Sequence, residues 1–152
     1  MVSPRPPESA LLREKLDGSE RLVRNLTDAC FAAWAGIHTA RTSGVTRAAK
    51  VLMDCSYVAS TTARLLAHAD EYQLHMLAMQ VAVCRRVARQ CAQVCDDQQG
   101  APMIACATSA RTAAAACNDL LGLLWDSRIG PMPETDEIPV EQSASGRETD
   151  VA

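Results

Sequence analysis

At 152 residues the chain fits one domain, and 48% hydrophobic with 22% charged residues is the composition of an ordinary globular protein. A net charge of -3 with scattered basic residues excludes the concentrated basic face that nucleic acid requires. No stretch approaches the ~18–20 apolar residues of a membrane span, and the N-terminus lacks the apolar core of a signal peptide. A cytoplasmic protein is therefore expected. There its seven cysteines point to metal binding or thiol chemistry rather than disulfides.

With only 3% aromatic residues and abundant alanine and leucine, the chain favours helix throughout. Residues 1–18 read as a proline-containing lead-in and a short helix capped by Ser9 and ended by Gly18. Ser19 then caps a first long helix over Glu20 to Arg41. Thr42-Ser43-Gly44 forms a turn, and a second helix runs from Thr46 to His68. Asp70-Glu71-Tyr72-Gln73 has the spacing of a capping box and should start the third helix, which runs to Gln98. Gly100 stops it, Pro102 suits the first turn of the fourth helix, and that helix ends near Asp126. Residues 130–152 are acidic and proline-containing, with little to bury, and read as a disordered tail. Short connections make successive helices antiparallel. The expected fold is thus all-α: an antiparallel up-down four-helix bundle over residues 19–129.

Apolar residues alternate at steps of three and four, the signature of a bundle seam. The third helix offers Leu74, Leu77, Val81, Cys84, Ala88, Cys91 and Cys95. The fourth offers Met103, Cys106, Ala110, Ala113, Cys117, Leu120 and Leu124. The second offers Val45, Ala48, Leu52, Cys55, Ala59, Thr62 and Leu66. The first is less regular, with Val23, Thr27, Cys30, Trp34 and Ile37. All seven cysteines fall on these seams. One such cysteine is usually a small buried hydrophobe; seven of seven across four helices favour a metal. Thiolates suit soft copper(I), and Cys91 and Cys95, the only CxxxC pair, share one helix face. The usual CxxC pairs of structural zinc sites are absent.

Three segments resemble the bacterial four-helix-bundle copper storage proteins: Leu52-Met53-Asp54-Cys55-Ser56-Tyr57-Val58, Cys84-x6-Cys91-x3-Cys95 and Cys106-x10-Cys117. The resemblance runs from about Leu26 to Leu124 and implies a cysteine-lined bundle holding copper(I). That family commonly carries C-x3-C-x2-C-x3-C on its last two helices. Here Ala88, Ala110 and Ala113 stand at missing positions, and Ala59 follows Cys55 by one turn. Few copper sites are therefore expected.

Counting back from the helix turns places Cys95 level with Cys106, Cys91 with Ala110, Ala88 with Ala113, and Cys84 with Cys117. It places Cys30 near Cys84 and Cys117, Trp34 and Cys55 near the middle, and His38 near Cys95. The core would then hold two sulfur groups separated by roughly 16 Å, with Trp34 filling the alanine-lined space between. His38 is a further candidate ligand. His75, Met76 and Met79 form a candidate metal mouth at the start of the third helix, since imidazole and thioether bind copper exchangeably. The function expected is copper storage, buffering or delivery, with a copper donor or acceptor protein as partner; self-association is left open. The alternatives are a copper-dependent redox enzyme built on such a bundle and a metal-free helical interaction module.

Overall fold

The structure, a computed structural model, describes residues 6–40 and 45–126, with side chains over 10–37 and 47–125. Four helices follow in order: α1 Pro6–Ala40, α2 Val45–Ala67, α3 Leu74–Asp96 and α4 Ala101–Asp126. Among the described residues there is no strand. Each helix packs against its two neighbours around a square, α1 on α2 and α4, and α3 on α2 and α4. The expected four-helix bundle is therefore the fold. The Thr42-Ser43-Gly44 turn and the acidic tail lie outside the described residues.

Three expected boundaries are corrected. The break at Gly18-Ser19 is absent, and α1 is one helix of 35 residues. Glycine in a helix costs only about 1 kcal/mol relative to alanine. Here burial of Leu16, Ser19 and Val23 on one face carries the helix through. Pro6 opens α1 rather than lying in a loose lead-in, consistent with proline's tolerance in a first turn. Likewise Asp70 does not start α3. Residues Ala69–Glu71 make a short 3-10 turn, and α3 begins at Leu74 behind Gln73, with no side-chain cap.

The α3–α4 connection turns through Gly100. Its φ of 118° is open to glycine at little cost. The Gly100 carbonyl accepts both the Met103 and the Ile104 amides at 3.1 Å, which launches α4. Gly36 of α1 faces Pro102, where an added Cβ would lie 3.7 Å from the proline ring. Gly36 and Pro102 thus lie level across the α1–α4 contact.

The core follows the seams. On α2, Ala48, Leu52, Cys55, Ala59, Thr62 and Leu66 are buried, and on α4 the whole expected set is buried. On α1 the true seam is Leu16, Ser19, Val23, Leu26, Cys30, Ala33 and Ile37, an unbroken alternation of three and four. Leu26 and Ala33 replace the expected Thr27 and Trp34, which flank the seam half-buried.

Candidate metal centre

All seven cysteines are free thiols and buried, as inward-facing seam positions require. Cys30 of α1, Cys91 of α3 and Cys106 of α4 meet at the bundle axis. Their three Sγ–Sγ separations are each 3.8 Å, an equilateral triangle. The Cys30–Cys91 side spans the diagonal of the square, so the triangle closes the centre of the bundle. These three are a group able to hold one metal ion. A point at the centre is about 2.2 Å from each sulfur (3.8 Å divided by √3), close to the ~2.3 Å of a metal–thiolate bond.

Cys55 and Cys95 join this group. Cys55 of α2 lies beside Cys30 and Cys91, and Cys95 beside Cys106 and Cys91. The shared thiols divide their protons unequally. Bonds from the Cys30 and then the Cys91 thiols hold Cys55 down at about 5, against the opposing effect of burial. Cys30 pays for this by being pushed far above the usual thiol range, first by Cys106, then by Cys55, Cys91 and burial. Cys91 is also raised: the Cys106 and Cys30 thiols pull it down, but Cys55, Cys95 and burial outweigh them. Cys95 is pushed up to about 12, chiefly by Cys106 together with burial. Within the group, Cys55 is thus held low while Cys30, Cys91 and Cys95 are held high.

Cys84 and Cys117 form a second group on α3 and α4. A bond from the Cys117 thiol, aided by the Thr62 hydroxyl, lowers Cys84; Cys117 is raised by Cys84 and by burial. Thr62 is itself positioned by Gln80, which donates to its hydroxyl at 3.0 Å. Between the two groups the core is lined by Ala59, Ala88, Ala110 and Ala113, all at most 1% exposed. Beyond Cys84 and Cys117 it closes with Val23, Leu66, Leu77, Val81, Leu120 and Leu124.

Two sulfur groups were expected, but their membership differs. Cys30 sits with Cys91 and Cys106, not with Cys84 and Cys117. That is an error of about two helical turns in the height of the α1–α2 hairpin. The same correction moves Trp34. It lies one turn past Cys30 toward the α1–α2 connection, half-buried, so it does not fill the alanine-lined middle. The side chain of His38 lies outside the described residues.

His75, Met76 and Met79 are exposed, the two methionines at 53% and 64%. They stand at the start of α3, the end remote from the triangle, behind the layer of Leu77, Val81, Leu120 and Leu124. The expected mouth at this end is corrected accordingly, because hydrocarbon separates it from the sulfur. Met103, already placed on the α4 seam, was not counted among the candidate ligands. It is 5% exposed and one turn before Cys106 on the same seam. Its position beside a cluster of soft ligands was readable from the three-residue spacing.

The family model for copper storage proteins matches residues 17–122. Among solved structures, the bundle is similar to a cytosolic copper storage protein from Streptomyces lividans, determined during copper loading with five coppers. The two share 22% identity at a TM-score of 0.72, over 74% of this chain and 97% of that one. No curated protein matches. No helix among the described residues is long and apolar enough to cross a membrane.

Proposed function

Because the chain belongs to the copper storage protein family, we propose that it holds a small number of copper(I) ions on its core thiolates, as a cytosolic copper store or buffer. The observation that carries this is the sulfur triangle, whose sides already match a three-coordinate metal–thiolate site. Soft thiolates favour copper(I) over hard cations. Copper(I) is satisfied by the three sulfurs of the triangle, whereas zinc would have to draw in a fourth to make a tetrahedron.

Charge decides how that site fills. A single copper(I) ion on three thiolates leaves a net double negative charge in a buried place, which is costly. Two remedies are built in. Some thiols keep their protons, as the raised positions of Cys30, Cys91 and Cys95 favour. Cys55 and Cys95 also offer further sulfurs, so additional ions can share the triangle's thiolates and neutralise them. Cys84 and Cys117 supply a separate two-sulfur station. At two or three sulfurs per ion and no sharing, seven thiols hold about three ions, and each shared thiolate raises that number.

Anaerobic titration of the reduced protein against a coloured copper(I) chelator tests this. Copper should move from chelator to protein with release of protons, and equimolar zinc should not displace it. If the chelator keeps its copper, the proposal fails.

A further inference from the structure

The station of Cys84 and Cys117 has a hydroxyl in its wall. Thr62 of α2 is 0% exposed and stands on the seam between Ala59 and Leu66. A buried hydroxyl needs hydrogen-bond partners, and Thr62 has two. It donates to the Val58 carbonyl at 2.7 Å and accepts from the Gln80 side-chain amide of α3 at 3.0 Å. The first bond is available to any helical threonine. The second is particular to this site, because it enlists a side chain of the neighbouring helix.

Cys84 follows Gln80 by four residues on α3, so the two share a face, and it lies buried beside the Thr62 hydroxyl. Cys117 of α4 lies beside Cys84 in turn. Arg85 donates to Asn118 Oδ1 at 2.9 Å; each follows its cysteine by one residue, so this bond ties α3 to α4 at the height of the station. The site thus offers two sulfurs and, from α2, an oxygen in place of a third.

Two thiolates around one copper(I) ion leave a single negative charge in a buried place, which is costly. The Thr62 oxygen is too hard to compete for copper(I), but its proton can serve a sulfur. A hydroxyl has one proton and two lone pairs. Gln80 holds one lone pair, and the proton can exchange the Val58 direction for the Cys84 direction by turning about the Cβ–Oγ1 bond. The Val58 carbonyl still accepts the Thr62 amide in the helix ladder, so the turn leaves no orphaned group.

We propose, building on the copper(I) binding set out above, that Thr62 is a positioning residue for the ion held by Cys84 and Cys117. Copper(I) replaces the two thiol protons, which leave to the buffer. The Thr62 hydroxyl then turns from Val58 to the Cys84 sulfur, with Gln80 anchoring its oxygen.

The test uses the reduced full chain, loaded anaerobically with copper(I), and reads chelator competition and the ultraviolet thiolate-to-copper charge-transfer band. Thr62→Val keeps the side chain's shape and removes the hydroxyl. It should weaken one class of bound copper by ~10–100-fold, the usual cost of an outer-sphere partner. It should also move part of the band to longer wavelength, because a sulfur relieved of a hydrogen bond gives up electrons at lower energy. Thr62→Ser should return both readouts toward the parent. In a Cys84→Ala background, Thr62→Val should change neither. Gln80→Met, at a half-buried position, removes the anchor and should act in the same direction; it decides the matter if metal-free Thr62→Val does not melt cooperatively. Parental affinity and an unshifted band in folded Thr62→Val would overturn this inference and leave the copper reading standing. So would an equal loss in the Cys84→Ala background, which would make Thr62 a packing residue alone. A parent that takes up no copper would overturn both.

Discussion

Replacing Cys30 by alanine removes one vertex of the sulfur triangle. Of the triangle there remains the Cys91–Cys106 edge of 3.8 Å, with Cys55 and Cys95 beside it but outside the group whose sulfurs all lie close enough to hold one ion. A linear two-sulfur site needs about twice the metal–thiolate distance, ~4.6 Å, so the edge is too short by about 0.8 Å unless α3 and α4 yield. Those helices are held by close packing, and Cys91 and Cys106 are both fully buried. The variant should therefore lose its tightest ion. Deleting an outer-sphere partner of a metal already costs ~10–100-fold in affinity. Losing a ligand should exceed the upper figure, which is about 2.7 kcal/mol. The metal-free fold should barely notice: one buried sulfur is worth about 1 kcal/mol, the low end of core truncations. Chelator competition measures the first quantity, and a chemical melt followed by circular dichroism the second. Cys117→Ala is the control; it should lower total copper while leaving the tightest ion in place. If Cys30→Ala keeps that ion at parental affinity, the triangle is not the primary site and the geometric argument is wrong.

Restoring sulfur to the alanine layer, with Ala88→Cys and Ala113→Cys together, should raise copper stoichiometry; a folded variant with unchanged uptake would show that the layer is inaccessible to metal. The reduced, metal-free protein should lose stability from about pH 9 upward. Cys95 is pushed up from 9.0 to about 12, so the unfolded chain ionises there first, and Cys30, Cys91 and Cys117 act in the same direction. Cys55, held down at about 5, works oppositely, adding stability as the pH climbs from 5 toward 9. A melting temperature that rises between about pH 9 and pH 11 would contradict this. Gly18→Ala should stabilise the bundle by about 0.5–1 kcal/mol, since the position is helical and an added Cβ meets nothing within 4 Å; a loss in the same melt would show that the glycine is required. Leu120→Ala should cost about 3–5 kcal/mol because the side chain is 0% exposed, yet Trp34→Ala should cost less than a fully buried aromatic would. Equal costs would mean that Trp34 is buried after all.

The seams on α2 and α3 were legible because a repeat of three and four admits one assignment when its neighbours are charged, and that on α4, whose neighbours are mostly alanine, because its cysteines and leucines keep the same repeat. On α1 two adjacent choices, Leu26 or Thr27 and Ala33 or Trp34, fit the rhythm about equally well. Tryptophan's volume argues for the wrong one, since only the packed bundle shows that small Ala33 is what the crowded axis accepts. Heights within a hairpin could be counted from its turn. The offset between hairpins could not, because it depends on how α1 slides on α4, a tertiary packing with no local signature. That slide is what carried Cys30 to the triangle. The continuity of α1 was hidden for a related reason. Gly18 weakens the helix locally, and the compensating burial of Leu16 and Val23 is a tertiary effect.

The alanine layer also sets a timetable. Cys95 is one residue from the end of α3, so one member of the five-sulfur group lies within a turn of that helix's end. The Cys84 and Cys117 station sits about 10 Å deeper, behind methyl groups that give a travelling cation nothing to hold, with only hydrocarbon on its far side. Ions there would arrive last and depart last. Copper withdrawn by a strong chelator should come off in two phases, and the slow amplitude would count the ions stored at the deeper station.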